Sequence, residues 1–167
     1  MEKDVKLKFD ETRWIYSRDW CVKSLYELII DNQIYLHPIF RTDNTWNDKK
    51  RGLFIESLIL GIPTPEIIIA TTKNDNISKF NYIIVDGYQR LSTLMMFLNP
   101  NMFDNSFKLV DLEILQELNN MNIEDIASQY PQYIQMLYDS VIRTTIIDSY
   151  DNDLFLYKTF ERINTFN

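Results

Sequence analysis

Apolar positions recur along this chain in two patterns, helical repeats and short β-branched runs. Together they predict one α+β domain with a small mixed sheet flanked by helices. Two of the β-branched runs follow each other across a polar connection, so we expect those strands to pair antiparallel. Helices are predicted over 21–30, 48–60, 88–98, an interrupted stretch 112–138, and the residues after 153, and strands over 34–36, 67–71, 82–85, 107–110 and 141–147.

The helix over 48–60 is apolar on almost all sides, which predicts a central, buried position. Glu56 and Ser57 are its two polar interruptions. Asn47 is the best N-cap candidate, and Gly61 is a standard helix stop. Residues 1–20 are expected to form an N-terminal arm, in which Arg13–Tyr16 is either a short strand or a segment packed on the domain. We expect the whole chain, 1–167, to be a single domain.

Residues 82–91 form the stretch with the clearest chemistry, Y-I-I-V-D-G-Y-Q-R-L. A buried strand ends near Asp86, Gly87 permits a tight turn, and a helix follows. Gln89 and Arg90 therefore lie beside Asp86 where the strand ends and the helix begins. The start of a helix offers free backbone N–H groups and the positive end of its dipole, to which Arg90 adds a guanidinium. The stretch predicts a phosphate site.

Each of these side chains also has a structural interpretation. Asp86 could bridge Mg²⁺ to phosphate or orient water, or it could cap the helix as a turn residue. Because a bare carboxylate repels phosphate, its functional role requires a metal or a proton. Arg90 could clamp phosphate or pair with a nearby carboxylate, and Gln89 could donate to phosphate, base or water. Arg41 is the second cation expected near the site, whereas Trp46 is expected to be a core anchor.

Two other polar residues, His37 and Asn164, are considered as site residues. His37 is the sole histidine and has no Cys or His partner at ligand spacing, so no zinc site is predicted. Nothing in the sequence supports a Ser–His catalytic pair either. Asn164 lies near the end of the last helix, where it could be a simple C-cap or could face the same cleft as Asp86.

Composition narrows the class of partner. The net charge of −7 makes the chain a poor unaided binder of bulk nucleic acid, so DNA is not favoured as a direct partner.

Cys21 is the sole cysteine, which excludes an internal disulfide. No signal peptide or membrane-spanning run is present, so we expect a cytoplasmic protein without a membrane partner. Abundant Ile and Asn with little Ala are typical of an AT-rich bacterial or phage genome.

Three segments, in order, resemble the N-terminal domain of GmrSD-type restriction endonucleases. Phe40-Arg41, Trp46 and 53–65 resemble the family's "QR…W…LIESLLLGIPIP" block. Residues 85–94 are similar to its "IDGQQRLTTL", and 160–165 to its "FERINTGG". Order and spacing agree, and the resemblance covers most of the chain from about Ser24 onward.

This resemblance implies a ParB/sulfiredoxin-like fold whose strand–turn–helix is associated with nucleotide phosphates. It also implies Mg²⁺-dependent binding or hydrolysis of a nucleoside triphosphate (NTP), coupled to cleavage of modified phage DNA. The implied cofactors are therefore an NTP and Mg²⁺. By motif position, the implied catalytic residues are Asp86, Gln89 and Arg90, the implied metal ligand is Asp86, and the implied nucleotide-binding positions are Arg41, Gly87, Tyr88 and Asn164, the last as a match to the third motif alone.

The chain departs from the family pattern in ways that matter for catalysis. Tyr88 stands where the family has its first Gln, and a phenol can hydrogen-bond or stack on a base but cannot present an amide. Glu66 follows Pro65 where an apolar residue or Pro is usual, and Phe166-Asn167 replace a Gly-Gly pair. Residues 1–167 include no counterpart of the C-terminal HNH-type nuclease half of full-length members and no His-rich metal motif. We therefore expect either a fragment or a stand-alone domain that works with a partner or has lost catalysis. We therefore do not expect this chain to cut DNA by itself.

Two hypotheses follow. In the first, the chain is an NTP-binding and hydrolysing domain that works in phage–host conflict, with a nuclease subunit or another protein as partner. In the second, it is a non-enzymatic binding or structural module that keeps the ParB-like fold without turnover. Tyr88 and the missing nuclease half favour the second, and the Asp86–Arg90 stretch favours the first.

Overall fold

Five strands form one mixed sheet in the computed structural model, which describes residues 14–37, 40, 45–72, 80–103, 107–150 and 152–166. The sheet order is β1-β5-β3-β4-β2. The β1–β5 and β3–β4 pairs are antiparallel, and the β3–β5 and β2–β4 pairs are parallel. The strands are β1 (Ile15–Cys21), β2 (Ile34–Tyr35), β3 (Ile67–Thr71), β4 (Tyr82–Asp86) and β5 (Val141–Ile147).

Six α-helices accompany this sheet in the described residues, and they lie on both of its faces. They are α1 (Val22–Ile30), α2 (Asp48–Leu60), α3 (Tyr88–Leu98), α4 (Ile123–Gln129), α5 (Pro131–Asp139) and α6 (Asp153–Phe166), with 3-10 turns at Pro100–Met102 and Gln116–Leu118. The predicted α+β class with a small mixed sheet is confirmed, and the architecture is consistent with a ParB-like fold. No helix in the described part of the chain is long and apolar enough to cross a bilayer.

Strand β3 separates two apolar clusters, because successive side chains point to opposite faces of a sheet. Ile67 and Ile69 belong to the larger cluster, which also takes in buried residues of α1 to α5. Ile68 and Ala70 belong to a smaller cluster that α6 covers with Leu156. Burial on both faces explains why β3 is a continuous apolar run rather than an alternating one.

Helix α2 is central, as the sequence predicted. The Asn47 side chain accepts the Lys50 N–H at 2.9 Å, and Gly61 ends the helix in the left-handed region with φ 70°. Glu56 is 4% exposed and accepts backbone N–H groups from the loop at residues 113–115. Gly52 allows the chain at Val110, just before that loop, to pack closely on α2, since a Cβ at Gly52 would lie 3.0 Å from the Val110 carbonyl oxygen.

The prediction of a strand over 107–110 is wrong. Leu109 instead donates its N–H to the Met121 carbonyl at 3.0 Å and accepts the Asn120 N–H at 2.7 Å. These bonds pair the segment with a neighbouring loop and not with the sheet. The apolar pattern arises because Leu109 is fully buried in the larger cluster, which a loop can achieve when its backbone groups are satisfied locally.

The predicted antiparallel pairing of β3 with β4 is confirmed. The connection between them, 73–79, lies outside the described residues. Near the N-terminus, Ile15–Cys21 forms an edge strand on β5, with Ile15 opposite Ile147. The part of the expected arm that the structure describes from Ile15 onward is therefore a strand of the sheet.

Candidate functional site

The site is built on the connection from β4 to α3, residues 86–90, which we call the β4–α3 turn. Gly87 has φ 99°, a left-handed conformation that side chains with a Cβ rarely adopt. A Cβ there would also lie 3.1 Å from Ile67 Cγ2. Glycine is therefore required both by the backbone angle and by the closeness of β3.

A bulge in β4 sets the position of Asp86. Ile68 lies opposite Asp86 and Ile69 opposite Ile84, so Val85 has no partner of its own on β3. A residue inserted in this way bends the strand and changes the direction of the side chains that follow. The bulge therefore changes the direction of the chain at the end of β4, immediately before the turn.

Asp86 and Arg90 form an ion pair across the turn. Arg90 Nη2 lies 2.8 Å from Asp86 Oδ2, and the two side chains are 13% and 21% exposed. The same Nη2 donates to the Glu66 carbonyl oxygen at 2.9 Å. Arg90 Nε is buried and has no hydrogen-bond partner in the described structure. Arg90 is thus paired with a nearby carboxylate, the structural alternative for this residue, and its buried Nε–H remains without a partner.

The start of α3 leaves backbone donors unused by the helix itself. The first intrahelical bond runs from the Leu91 N–H to the Gly87 carbonyl at 3.0 Å, and glycine offers no side-chain cap. The N–H groups of the first turn and the positive end of the helix dipole therefore lie next to Arg90. Tyr88, in this first turn, is half-buried and packs against the larger apolar cluster.

Gln89 connects the turn to the segment that precedes α2. Its Oε1 accepts the Trp46 N–H at 3.3 Å, which leaves the amide NH₂ as the end able to donate. Trp46 packs edge-on against Phe54 at 5.5 Å, in the core-anchor role that the sequence predicted. Lys50 lies 5.1 Å from the centre of the indole ring, a nearby cation that sequence reasoning missed.

The three segments that carry the family resemblance meet in space. Phe40, of the first segment, stacks on Phe160, of the third, with ring centres 5.3 Å apart. The Trp46–Gln89 bond joins the first segment to the second. Phe160 and Val85 share the smaller apolar cluster, which joins the third segment to the second. Segments far apart in sequence therefore surround one region of the sheet.

Two predicted site residues, Arg41 and Asn164, belong to segments other than the β4–α3 turn. Arg41 lies outside the described residues. Asn164 is in the last turns of α6, exposed, and donates to the Phe160 carbonyl oxygen of its own helix at 2.8 Å. Its described hydrogen bond is therefore within α6.

Asp86 is the carboxylate that residues 86–90 offer to a metal ion. Among the described residues, no group of three or more His, Cys, Asp or Glu side chains could hold a metal ion. Asp86 alone suits Mg²⁺ only in company with phosphate oxygens and water, which is how Mg²⁺ is commonly bound beside nucleotides. The donors in the described part of the chain therefore fit a metal that arrives with a phosphate ligand and are too few for a permanent metal centre.

Glu66 is a polar neighbour whose role sequence reasoning missed. Its carbonyl oxygen accepts from Arg90, and its carboxylate Oε2 accepts from Thr145 Oγ1 at 2.7 Å. The sequence did mark this position as a departure from the family pattern. Its contact with Arg90 depends on the register of β3, which no local pattern reveals.

The family comparison agrees with the geometry. Residues 22–166 match the family described as GmrSD restriction endonuclease, N-terminal domain. Searches of curated proteins and of solved structures gave no match. The matched range contains the β4–α3 turn and all three convergent segments. The chain therefore belongs to the GmrSD restriction endonuclease N-terminal domain family.

Proposed function

We propose that the β4–α3 turn binds the phosphate groups of a nucleoside triphosphate together with Mg²⁺, in a restriction-related role in defence against phage. The observation that carries this proposal is the position and hydrogen bonding of the Arg90 guanidinium. Its guanidinium is fixed at the start of α3, and its Nε is buried without a partner. A rigid arginine beside free backbone N–H groups suits the binding of phosphate oxygens.

Each polar residue of the turn has a role in this proposal. Arg90 donates to phosphate oxygens, and the first-turn N–H groups of α3 add uncharged donors. Asp86 would hold Mg²⁺, which neutralises phosphate charge when it is bound. Gln89, already held through its Oε1 by Trp46, directs its NH₂ donors to phosphate or base. Gly87 supplies the left-handed turn that brings Asp86 and Arg90 together.

Hydrolysis is the finer part of the proposal. Asp86 and Gln89 are the side chains of the turn that can orient a water molecule toward phosphate. A nuclease partner would then act on DNA, since the family is named for one domain of a restriction endonuclease. The net charge of −7 supports a partner, not this chain, as the main DNA-binding surface.

A thermal-shift titration tests the nucleotide site. Each of the four NTPs is titrated with MgCl₂ into the wild-type chain, Arg90→Ala and the control Arg143→Ala, which removes an exposed arginine on β5. At 100 times Kd a ligand adds about 2.7 kcal/mol of stability. For a domain of this size that raises Tm by roughly 5–11 °C. The control should retain the shift and Arg90→Ala should lose it; no shift in the wild-type chain with any NTP would refute the proposal.

The second candidate function is a binding or structural module without turnover. It is favoured by the mutual neutralisation of Asp86 and Arg90, since a partly buried ion pair can simply fix a turn. A phosphate-release assay with NTP, Mg²⁺ and DNA separates the candidates. If the wild-type chain releases phosphate and Gln89→Ala does not, the enzyme is supported. If the wild-type chain binds NTP without releasing phosphate, the module is supported.

A further inference from the structure

We propose that Asp86 competes with phosphate for Arg90, so that the β4–α3 turn accepts polyphosphate only when a divalent cation engages the Asp86 carboxylate. This inference rests on the proposed function and deepens it, because it assigns the cation dependence of binding to one contact. The juxtaposition that carries it is the 2.8 Å contact between Arg90 Nη2 and Asp86 Oδ2.

This ion pair differs from the others in the described residues in the burial of both partners. Its side chains are 13% and 21% exposed. The Arg143–Asp19 pair is longer, at 3.4 Å, with both side chains more than half exposed. Charges partly removed from water interact more strongly, since less solvent screens them. Asp86 is therefore an effective competitor for any anion that approaches Arg90.

Of the two acceptors that Arg90 Nη2 contacts in the described structure, Asp86 is the charged one and therefore the competitor of an arriving anion. Nη2 is shared between Asp86 and the Glu66 carbonyl, which is a neutral acceptor. The pair of Arg90 and Asp86 carries no net charge, so an arriving anion meets the helix dipole alone. When a cation neutralises Asp86, the turn regains a net positive charge and Arg90 can exchange the carboxylate for a phosphate oxygen.

Substitution of Asp86 by Asn imitates this neutralisation without a cation. Asn keeps the size of the side chain and an acceptor oxygen for Arg90, but removes the negative charge. Asp86→Asn should therefore bind polyphosphate in the absence of divalent cations, and the wild-type chain should not. Asp19→Asn is the matched control, because it removes the carboxylate charge of an ion pair on β1, which β5 and β3 separate from β4.

The experiment is isothermal titration calorimetry with inorganic triphosphate, which presents the phosphate chemistry shared by all NTPs. Each protein is titrated in EDTA and in MgCl₂. We expect Asp86→Asn to bind triphosphate in EDTA, where the wild-type chain should give no measurable heat of binding; this corresponds to an affinity difference of at least about tenfold, since a unit charge near the ligand has been removed. Asp19→Asn should behave as wild type in both buffers.

A second measurement uses the wild-type chain, so the inference does not depend on the folding of Asp86→Asn. The Nε–H resonance of Arg90, assigned by its loss in Arg90→Lys, should move on addition of triphosphate with Mg²⁺. In EDTA it should stay in place. Movement of equal size in both buffers would overturn the inference.

The outcomes separate this inference from the proposed function. Wild-type binding that is equally tight in EDTA and in MgCl₂ overturns the inference and leaves nucleotide binding intact. The same holds if wild type binds with Mg²⁺ while folded Asp86→Asn does not bind in EDTA. If neither wild type with Mg²⁺ nor Asp86→Asn binds triphosphate, and the NTPs give no thermal shift, both proposals fall.

Discussion

Truncation of Glu56 to Ala should be among the most destabilising single changes in this chain. The carboxylate Oε1 accepts the N–H groups of Ile114 at 2.8 Å and Leu115 at 2.7 Å. Oε2 accepts the Glu113 N–H at a longer 3.3 Å. Glu56 is 4% exposed, so water does not replace these acceptors without a rearrangement of the loop.

The expected magnitude follows from the two short bonds. Hydrogen bonds to a charged group contribute about 1.5–3 kcal/mol each, so Glu56→Ala should lower the free energy of unfolding by about 3–6 kcal/mol. Glu56→Gln keeps one acceptor oxygen for both short bonds and loses only the charge and the longer bond. We expect it to cost about 2–3 kcal/mol, because each short bond changes from a bond to a charged group to a bond between neutral groups.

Urea unfolding followed by circular dichroism measures both values, with an unchanged m-value as the check that the folded state is comparable. The control is Glu113→Gln, an exposed position in the same loop, which should change stability by no more than about 0.5 kcal/mol. In thermal unfolding, Glu56→Ala should lower Tm by roughly 6–24 °C. A loss below about 1 kcal/mol for Glu56→Ala, or equal losses for the Ala and Gln variants, would refute this reasoning.

Three further predictions concern other parts of the fold. Gly87→Ala should destabilise by about 1–3 kcal/mol in urea unfolding, because φ 99° is strained with a Cβ and Ile67 lies in its way; no loss would contradict the turn geometry. Asn47→Ala should cost about 1 kcal/mol in the same assay through loss of the α2 cap, and an unchanged value would refute the capping role. The hydrogen bond from Tyr133 lowers the pKa of the Glu117 carboxyl below its ordinary 4.5; this contribution to stability is therefore present above that value and lost as pH falls through the lowered pKa. Tyr133→Phe should return that pKa toward 4.5 in an NMR titration, and an unmoved titration would exclude the hydrogen bond as the cause.

Local patterns were sufficient for the elements that hold the site. The β-branched run before Asp86, the glycine and the helical repeat after it predicted strand, turn and helix, because each depends on neighbouring residues alone. Asn47 and Gly61 were recognisable for the same reason. The 107–110 segment misled because buried loops and strands share the same apolar signature.

Contacts between distant segments could not be predicted in this way. Glu56 appeared only as an interruption of an apolar helix, since its partners lie in a loop far along the chain. The contact of Arg90 with the Glu66 carbonyl depends on the register of β3. The Asp86–Arg90 pair did leave a local signal, because opposite charges four residues apart can meet at the start of a helix.

The strand order has a consequence for folding during synthesis. Strand β5 lies between β1 and β3, so the first strand has no sheet partner in the described structure until the ribosome has made Val141–Ile147. Pairing between such distant segments is slow, because a long loop must close before any contact forms. Phe40 likewise cannot stack on Phe160 until that residue has been synthesised. Until Val141–Ile147 has been made, the nascent chain therefore exposes the edges of β1 and β3 that β5 later covers, and we expect the surroundings of the β4–α3 turn to be completed late, after α6 has emerged.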